Sequence, residues 1–105
     1  MLNTKYYDKK GKEITLDEFS ELFTDPQYRV LGKNQDEHFL VSTVWVGHDR
    51  NLLDDRIRIY ETVIFDTTAN PNDCIFSKRY ETKEEALIWH DLLCDKFLTR
   101  DLQYA

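Results

Sequence analysis

The residues best equipped for chemistry crowd into one short stretch. His48, Asp49, Arg50, Asn51, Asp54 and Asp55 lie between two apolar, β-branched runs, FLVSTVWV over 39–46 and RIRIYETVIF over 56–65. Carboxylates and an imidazole in one loop suit Mg²⁺, Mn²⁺ or Zn²⁺, and a bound cation can activate water. On that reading His48, Asp49 and Asp54 would centre a metal-dependent hydrolase. The spacing fits no established ligand signature, neither H-x-x-x-H nor C-x-x-C nor a calcium loop. The plainer expectation is a solvated hairpin loop in which Asp and Asn accept turn hydrogen bonds, so no metal ligands are assigned. Guanidinium groups bind phosphate in bidentate fashion. The 47–58 region therefore supports a second chemistry: a nucleotide-like small ligand held by Arg50, Arg56 and Arg58, with His48, Asp49 and Glu61 beside them.

Glu61 is a charged residue within a strand, on the alternating face of Ile59 and Val63. A carboxylate buried there can serve as an acid or base, but pairing with Arg56, Arg58 or Arg79 is the expectation, since buried charge is normally satisfied. His90 sits in the apolar stripe of a C-terminal helix, where a histidine usually has both ring nitrogens bonded within the core. A sharper expectation is that His90 and Glu61 meet between sheet and helix. Cys74 and Cys94 read as reduced thiols in packing positions, which are usually inert. The sequence has no Gly-rich phosphate loop or other catalytic motif. No catalytic residue and no cofactor are assigned.

The elements that must position these groups follow from periodicity. Thr4–Asp8 is a short β-prone piece, followed by a turn at Asp8–Lys12. Thr15-Leu16-Asp17-Glu18 is a capping box opening a short helix, with Leu16, Phe19, Leu22 and Phe23 on one face and Asp25-Pro26 ending it. Strands are expected at 28–33, 37–46, 56–65 and 74–80. In the second, Phe39, Val41, Thr43 and Trp45 alternate with Leu40, Ser42, Val44 and Val46. Neither face is strongly polar, so this strand should be central and covered on both sides. A second capping box, Thr82-Lys83-Glu84-Glu85, opens the longer helix, whose stripe is Ala86, Trp89, His90, Leu93 and Phe97, with Leu87 and Cys94 at its edge. Ile88 and Leu92 fall on its opposite, acidic side, where the plainer expectation is scattered surface apolars and the sharper one a surface for a partner or a second copy. The expected order is β-α-β-β-β-β-α: an α+β domain with an antiparallel meander of about four strands and two helices packed on the sheet.

A chain of 105 residues suffices for one core, so residues 1–105 form a single domain. Fourteen basic against twenty acidic side chains leave a net charge of −6, with no basic block longer than Lys9-Lys10. That disfavours attraction to a phosphate backbone. No apolar leader or membrane-length run is present in the sequence, which implies a cytosolic protein.

Several stretches also carry a resemblance: VSTVW with Gly47 and Asp49, the run Tyr60-Glu61-Thr62-Val63-Ile64-Phe65, and Tyr80-Glu81-Thr82-Lys83-Glu84-Glu85-Ala86-Leu87 followed by His90. Tyr6-Tyr7-Asp8 with Gly11, and the helix from Ile14 to Phe23, belong to the same set. Together, over roughly residues 6 to 93, the chain resembles a family of small proteins encoded by bacteriophages and prophages. Arg50 stands where that family pattern has a histidine, and the loop after it lacks the expected Gly and Pro. Both departures weigh against metal or catalytic chemistry in the loop. The resemblance implies a phage-derived protein in the bacterial cytoplasm and supplies no activity. With no catalytic motif to set against it, the leading expectation is a non-enzymatic accessory protein that binds a host or phage protein.

Overall fold

Alternation in the middle of the chain builds the sheet. In the computed structural model, which describes residues 4–49 and 55–98, four strands run as an antiparallel meander in the order β3-β4-β5-β6. They are β3 (Val30–Gln35), β4 (Phe39–Trp45), β5 (Tyr60–Asp66) and β6 (Asp73–Tyr80). Before them come β1 (Tyr6–Tyr7) and β2 (Glu13–Ile14), paired as a two-stranded ribbon, then α1 (Leu16–Phe23) and α2 (Pro26–Arg29). The chain closes with α3 (Lys83–Phe97). This is the expected α+β class, and the four-strand meander is as read from the sequence.

Two elements were not foreseen. Ile14 pairs with Tyr6, making the N-terminal piece a ribbon rather than a lone strand. Asp25-Pro26 ends α1 and also starts a second helical turn: Asp25 accepts from the Gln27 amide at 3.0 Å, and Pro26 takes the first helical position, where a missing N–H costs nothing. The strand after it consequently begins at Val30 rather than Tyr28. β5 begins at Tyr60 rather than Arg56, because the Arg58 amide donates to the Asp49 carboxylate (2.9 Å) instead of joining the ladder.

The α1 capping box is complete, with Glu18 N to Thr15 Oγ1 at 3.1 Å and Thr15 N to Glu18 Oε1 at 2.9 Å. At α3 only half of the box forms. Thr82 Oγ1 accepts from the Glu85 amide, while the Glu85 carboxylate accepts from Glu81 rather than from the cap residue itself.

The core lies between the sheet and α3. Val41, Thr43 and Trp45 of β4 and Tyr60, Thr62 and Ile64 of β5 are buried against Ala86, His90, Leu93 and Cys94 of the helix. A second part of the core gathers at the Trp45 end, where Phe19, Leu22 and Tyr28 pack against Trp45 and Ile59. Gly47 follows with φ +76°, a left-handed conformation, and its Cα lies so close to Phe19 and Trp45 that a Cβ would stand 2.7 Å from each. Only a glycine makes this corner without strain. The corner is tied further by Tyr7 N to Gly47 O at 2.8 Å and by Trp45 Nε1 to Tyr7 O at 3.1 Å.

The expectation for β4 needs one correction. It is central, between β3 and β5, but among the described residues it is covered on one side only. The helices gather on the Val41–Thr43–Trp45 side. Among the described residues no element packs over Leu40, Ser42 and Val44, which remain half-buried. The short helices do not supply the second layer because both pack at the Trp45 end, and among the described residues α3 alone spans the sheet.

Candidate functional site

His48, Asp49 and Arg58 meet the sheet face turned away from α3 at one corner, and Arg79 is the group that joins them. Glu61 and Arg79 stand directly opposite one another on β5 and β6. Both side chains therefore leave the same face, and Arg79 Nε lies 3.6 Å from Glu61 Oε2. The guanidinium reaches on to donate to the His48 carbonyl at 2.6 Å and to the Arg58 carbonyl at 3.2 Å. Asp49 returns the tie from the other side, accepting from the Arg58 amide while its Oδ2 lies 4.0 Å from Arg58 Nη1. Arg79 was read from the sequence only as one of three partners for Glu61. The signal was its place, for the β5–β6 meander sets residue 79 across from residue 61.

The structure thus brings together four of the expected ligand-binding residues: His48 (through its backbone), Asp49, Arg58 and Glu61. Arg56 lies apart, exposed, with Nε 3.5 Å from Glu81. Arg50, Asn51 and Asp54 lie outside the described residues. Chemically the corner is a clasp. Its arginines and carboxylates are engaged with one another and with backbone carbonyls, so a phosphate entering there must displace bonds already made. Among the described residues no group of three or more His, Cys, Asp or Glu is placed to hold a metal ion.

His90 and Glu61 do not meet, which corrects the sharper expectation for them. Alternation along β5 turns Thr62 toward the helix and Glu61 away, so the two residues occupy opposite faces of the sheet. His90 is held instead by β3 and β4. Its Nε2 lies 2.7 Å from Asn34 Oδ1, and its Nδ1 lies 2.7 Å from Thr43 Oγ1. Thr43 Oγ1 in turn lies 2.6 Å from Thr62 Oγ1. With Asn34 Oδ1 accepting, Nε2 carries the proton and Nδ1 accepts from Thr43, which leaves Thr62 to donate to Thr43. This chain crosses three strands and both threonines are fully buried. Beyond it stands Tyr80, whose buried hydroxyl has no partner in hydrogen-bonding geometry among the described residues. Burial pushes the Tyr80 phenol up, and neighbouring Thr62 moderates the rise. Sequence reading anticipated a satisfied core histidine but not its partners. The available signal was Thr43 and Thr62, two hydroxyls on otherwise apolar inward faces.

On the outer surface, Ile88 is 62% exposed and Leu92 54%, as expected for the far side of α3. Cys74 is exposed and Cys94 buried, and neither is in a disulfide. No helix among the described residues is long and apolar enough to cross a membrane.

Comparison with known protein families, with curated proteins and with solved structures returns no match to this chain.

Proposed function

We propose that the chain is a small, non-enzymatic accessory protein of phage or prophage type, working in the bacterial cytoplasm by binding a host or phage protein. The observation that supports this reading is the outer ridge of α3. Ile88 and Leu92 are one helical turn apart and more than half exposed, on a helix whose inner face is already occupied by the sheet. Exposed aliphatic side chains at this spacing are anchors for a groove in a partner. Glu84, Glu85, Asp91 and Asp95 surround them on the same helix, so the matching groove is apolar and rimmed by Lys or Arg. The clasp at Arg79 belongs to the same reading: its charges hold His48, Asp49 and Arg58 to the sheet.

The test is affinity capture from bacterial lysate, with and without phage infection, comparing the native chain with the double variant Ile88→Glu, Leu92→Glu. One protein retained by the native chain and lost by the folded variant supports the proposal. No specific partner, or equal capture by both, counts against it.

A further inference from the structure

We propose that His90, Thr43, Thr62 and Tyr80 form a reversible hydrogen-bond relay, so that a proton taken up by the His90 ring is registered at the Tyr80 hydroxyl on the edge strand β6. The first two links are short. His90 Nδ1 lies 2.7 Å from Thr43 Oγ1, and Thr43 Oγ1 lies 2.6 Å from Thr62 Oγ1. The third link is poised but not made. Thr62 stands near enough to the Tyr80 phenol to ease the rise that burial imposes on it. Yet the Tyr80 hydroxyl is buried and makes no hydrogen bond among the described residues. The relay therefore ends on an oxygen that still has room to accept.

With a neutral ring, Nε2–H donates to Asn34 Oδ1, Nδ1 accepts from Thr43, and Thr43 accepts from Thr62. A second ring proton, taken from solvent, turns Nδ1 into a donor, and Thr43 must then accept from it. The Thr43 proton swings to Thr62 Oγ1, and the Thr62 proton swings to Tyr80 Oη. Each step is a rotation about a C–O bond; no covalent bond changes, and the proton gained stays on the ring. A hydroxyl has one donor and two acceptor sites, so each threonine keeps a partner for its proton in either direction. A relay that stopped at Thr62 would lack this freedom. Reversal would aim a buried O–H at nothing, which is costly.

His90 is the member that changes charge near neutral pH. Among the described residues, the ionisable groups on the sheet face it meets include the Tyr60 and Tyr80 phenols and the Lys78 ammonium. Lys78 stands opposite Thr62, with its Nζ 4.9 Å from the centre of the Trp89 ring. β3 presents Gly32 and Asn34 to the ring, and β4 presents Thr43 between Val41 and Trp45. On α3 itself the Cys94 thiol follows one turn later and is buried, while Asp91 is exposed. Asp36, just past β3, accepts from the His38 and Phe39 amides. Phenols stay protonated throughout the range in which imidazole titrates, and the Lys78 cation works against a second positive charge on this face.

The experiment is NMR on the full chain from about pH 8 to about pH 4, following the ring nitrogens of His90 together with the Tyr80 ring carbon that bears the hydroxyl. The expected result is a neutral ring protonated at Nε2 that becomes doubly protonated while the fold persists. The Tyr80 signal should move at the same midpoint. In Thr62→Val, which interrupts the relay, the Tyr80 signal should stay still. Tyr80→Phe keeps the aromatic ring and removes the terminal acceptor, so the His90 midpoint should fall by about one pH unit, a roughly tenfold loss of proton affinity. A Tyr80 signal that stays constant while His90 titrates overturns the inference. So does equal movement of Tyr80 in Thr62→Val, an unchanged midpoint in Tyr80→Phe, or a His90 ring that takes its second proton only as the native signals are lost. None of these outcomes involves Ile88 or Leu92, so the partner-binding reading stands or falls separately.

Discussion

Gly32 lies directly beneath the His90 ring. A Cβ built on Gly32 would stand 2.8 Å from His90 Nε2 and 3.0 Å from the two carbons beside it. The ring is gripped at both nitrogens, by Asn34 on the same strand as Gly32 and by Thr43 on the next. It therefore has no ready way to move aside. The backbone at Gly32 is not left-handed, so this glycine is there for space and not for conformation. The close approach of helix to sheet at this point depends on the missing side chain.

Gly32→Ala should accordingly lower stability by about 1–3 kcal/mol, through overpacking and a disturbed hydrogen bond. The double variant Gly32→Ala, His90→Ala should lose much less than the sum of the two single changes, because the clash disappears with the ring. Urea unfolding of the four proteins of the cycle checks this, and strict additivity would show that the two residues are not coupled.

Thr43→Val keeps the shape of the side chain but removes the central hydroxyl of the buried chain. His90 Nδ1 and the Thr62 hydroxyl would each lose a partner at a site with no access to water. An expected loss of about 2 kcal/mol follows from leaving buried polar groups unsatisfied. The paired change Thr43→Val, Thr62→Val should cost less than Thr43→Val alone plus Thr62→Val alone, as measured by thermal unfolding.

Gly47→Ala and Gly11→Ala separate two penalties. Both glycines have positive φ, +76° and +81°. At Gly11 a Cβ meets nothing within 4 Å, whereas at Gly47 it meets Phe19 and Trp45 at 2.7 Å. Gly11→Ala should cost about 1 kcal/mol from conformation alone. Gly47→Ala should cost at least twice that, and near-UV circular dichroism should report the displaced Trp45.

Tyr60 predicts an alkaline weakness. Burial first, then the neighbouring Tyr28, Glu84 and Asp8, pushes its phenol from 10.0 up to about 12. The folded state therefore favours the protonated form. That contribution is whole below about pH 10, where the unfolded phenol is also protonated, and it is lost as pH rises from 10 toward 12. Tyr60→Phe forfeits the bond from its hydroxyl to the Lys9 carbonyl at 2.9 Å. It should be about 1 kcal/mol less stable at neutral pH, yet show a flatter loss between pH 10 and 12. Tyr28 and Tyr80, also raised by burial, retain part of the slope. Denaturant midpoints across that pH range decide it, and an unchanged slope would rule Tyr60 out as the cause.

Arg79→Lys should loosen the clasp without unfolding the sheet. A lysine keeps the charge opposite Glu61 but lacks the planar fork that reaches two carbonyls at once. Faster amide exchange at Val46, Gly47 and Arg58, with β3 and α3 unchanged, is the expected outcome.

Much of this architecture is written in local pattern. Alternation along Val41-Ser42-Thr43-Val44-Trp45 sets which side chains go inward. The α1 cap is fixed by two residues three apart, and the buried stripe of α3 by its 3.6-residue period. These features depend on neighbours in the chain, so the sequence by itself determined the strand meander, the long helix and the exposure of Ile88 and Leu92. It also held a real ambiguity, because β4 is apolar on both faces and alternation alone does not say how many layers cover a sheet. Only the tertiary structure decided that α1 and α2 pack at the Trp45 end, so that among the described residues no helix lies over the second face. Only the tertiary structure, likewise, paired His90 with Asn34, 56 residues away, and chose Arg79 from the three arginines expected for Glu61. Such partnerships follow from strand register and from where the helix crosses the sheet. Both are outcomes of packing the whole chain at once, and no local spacing encodes them.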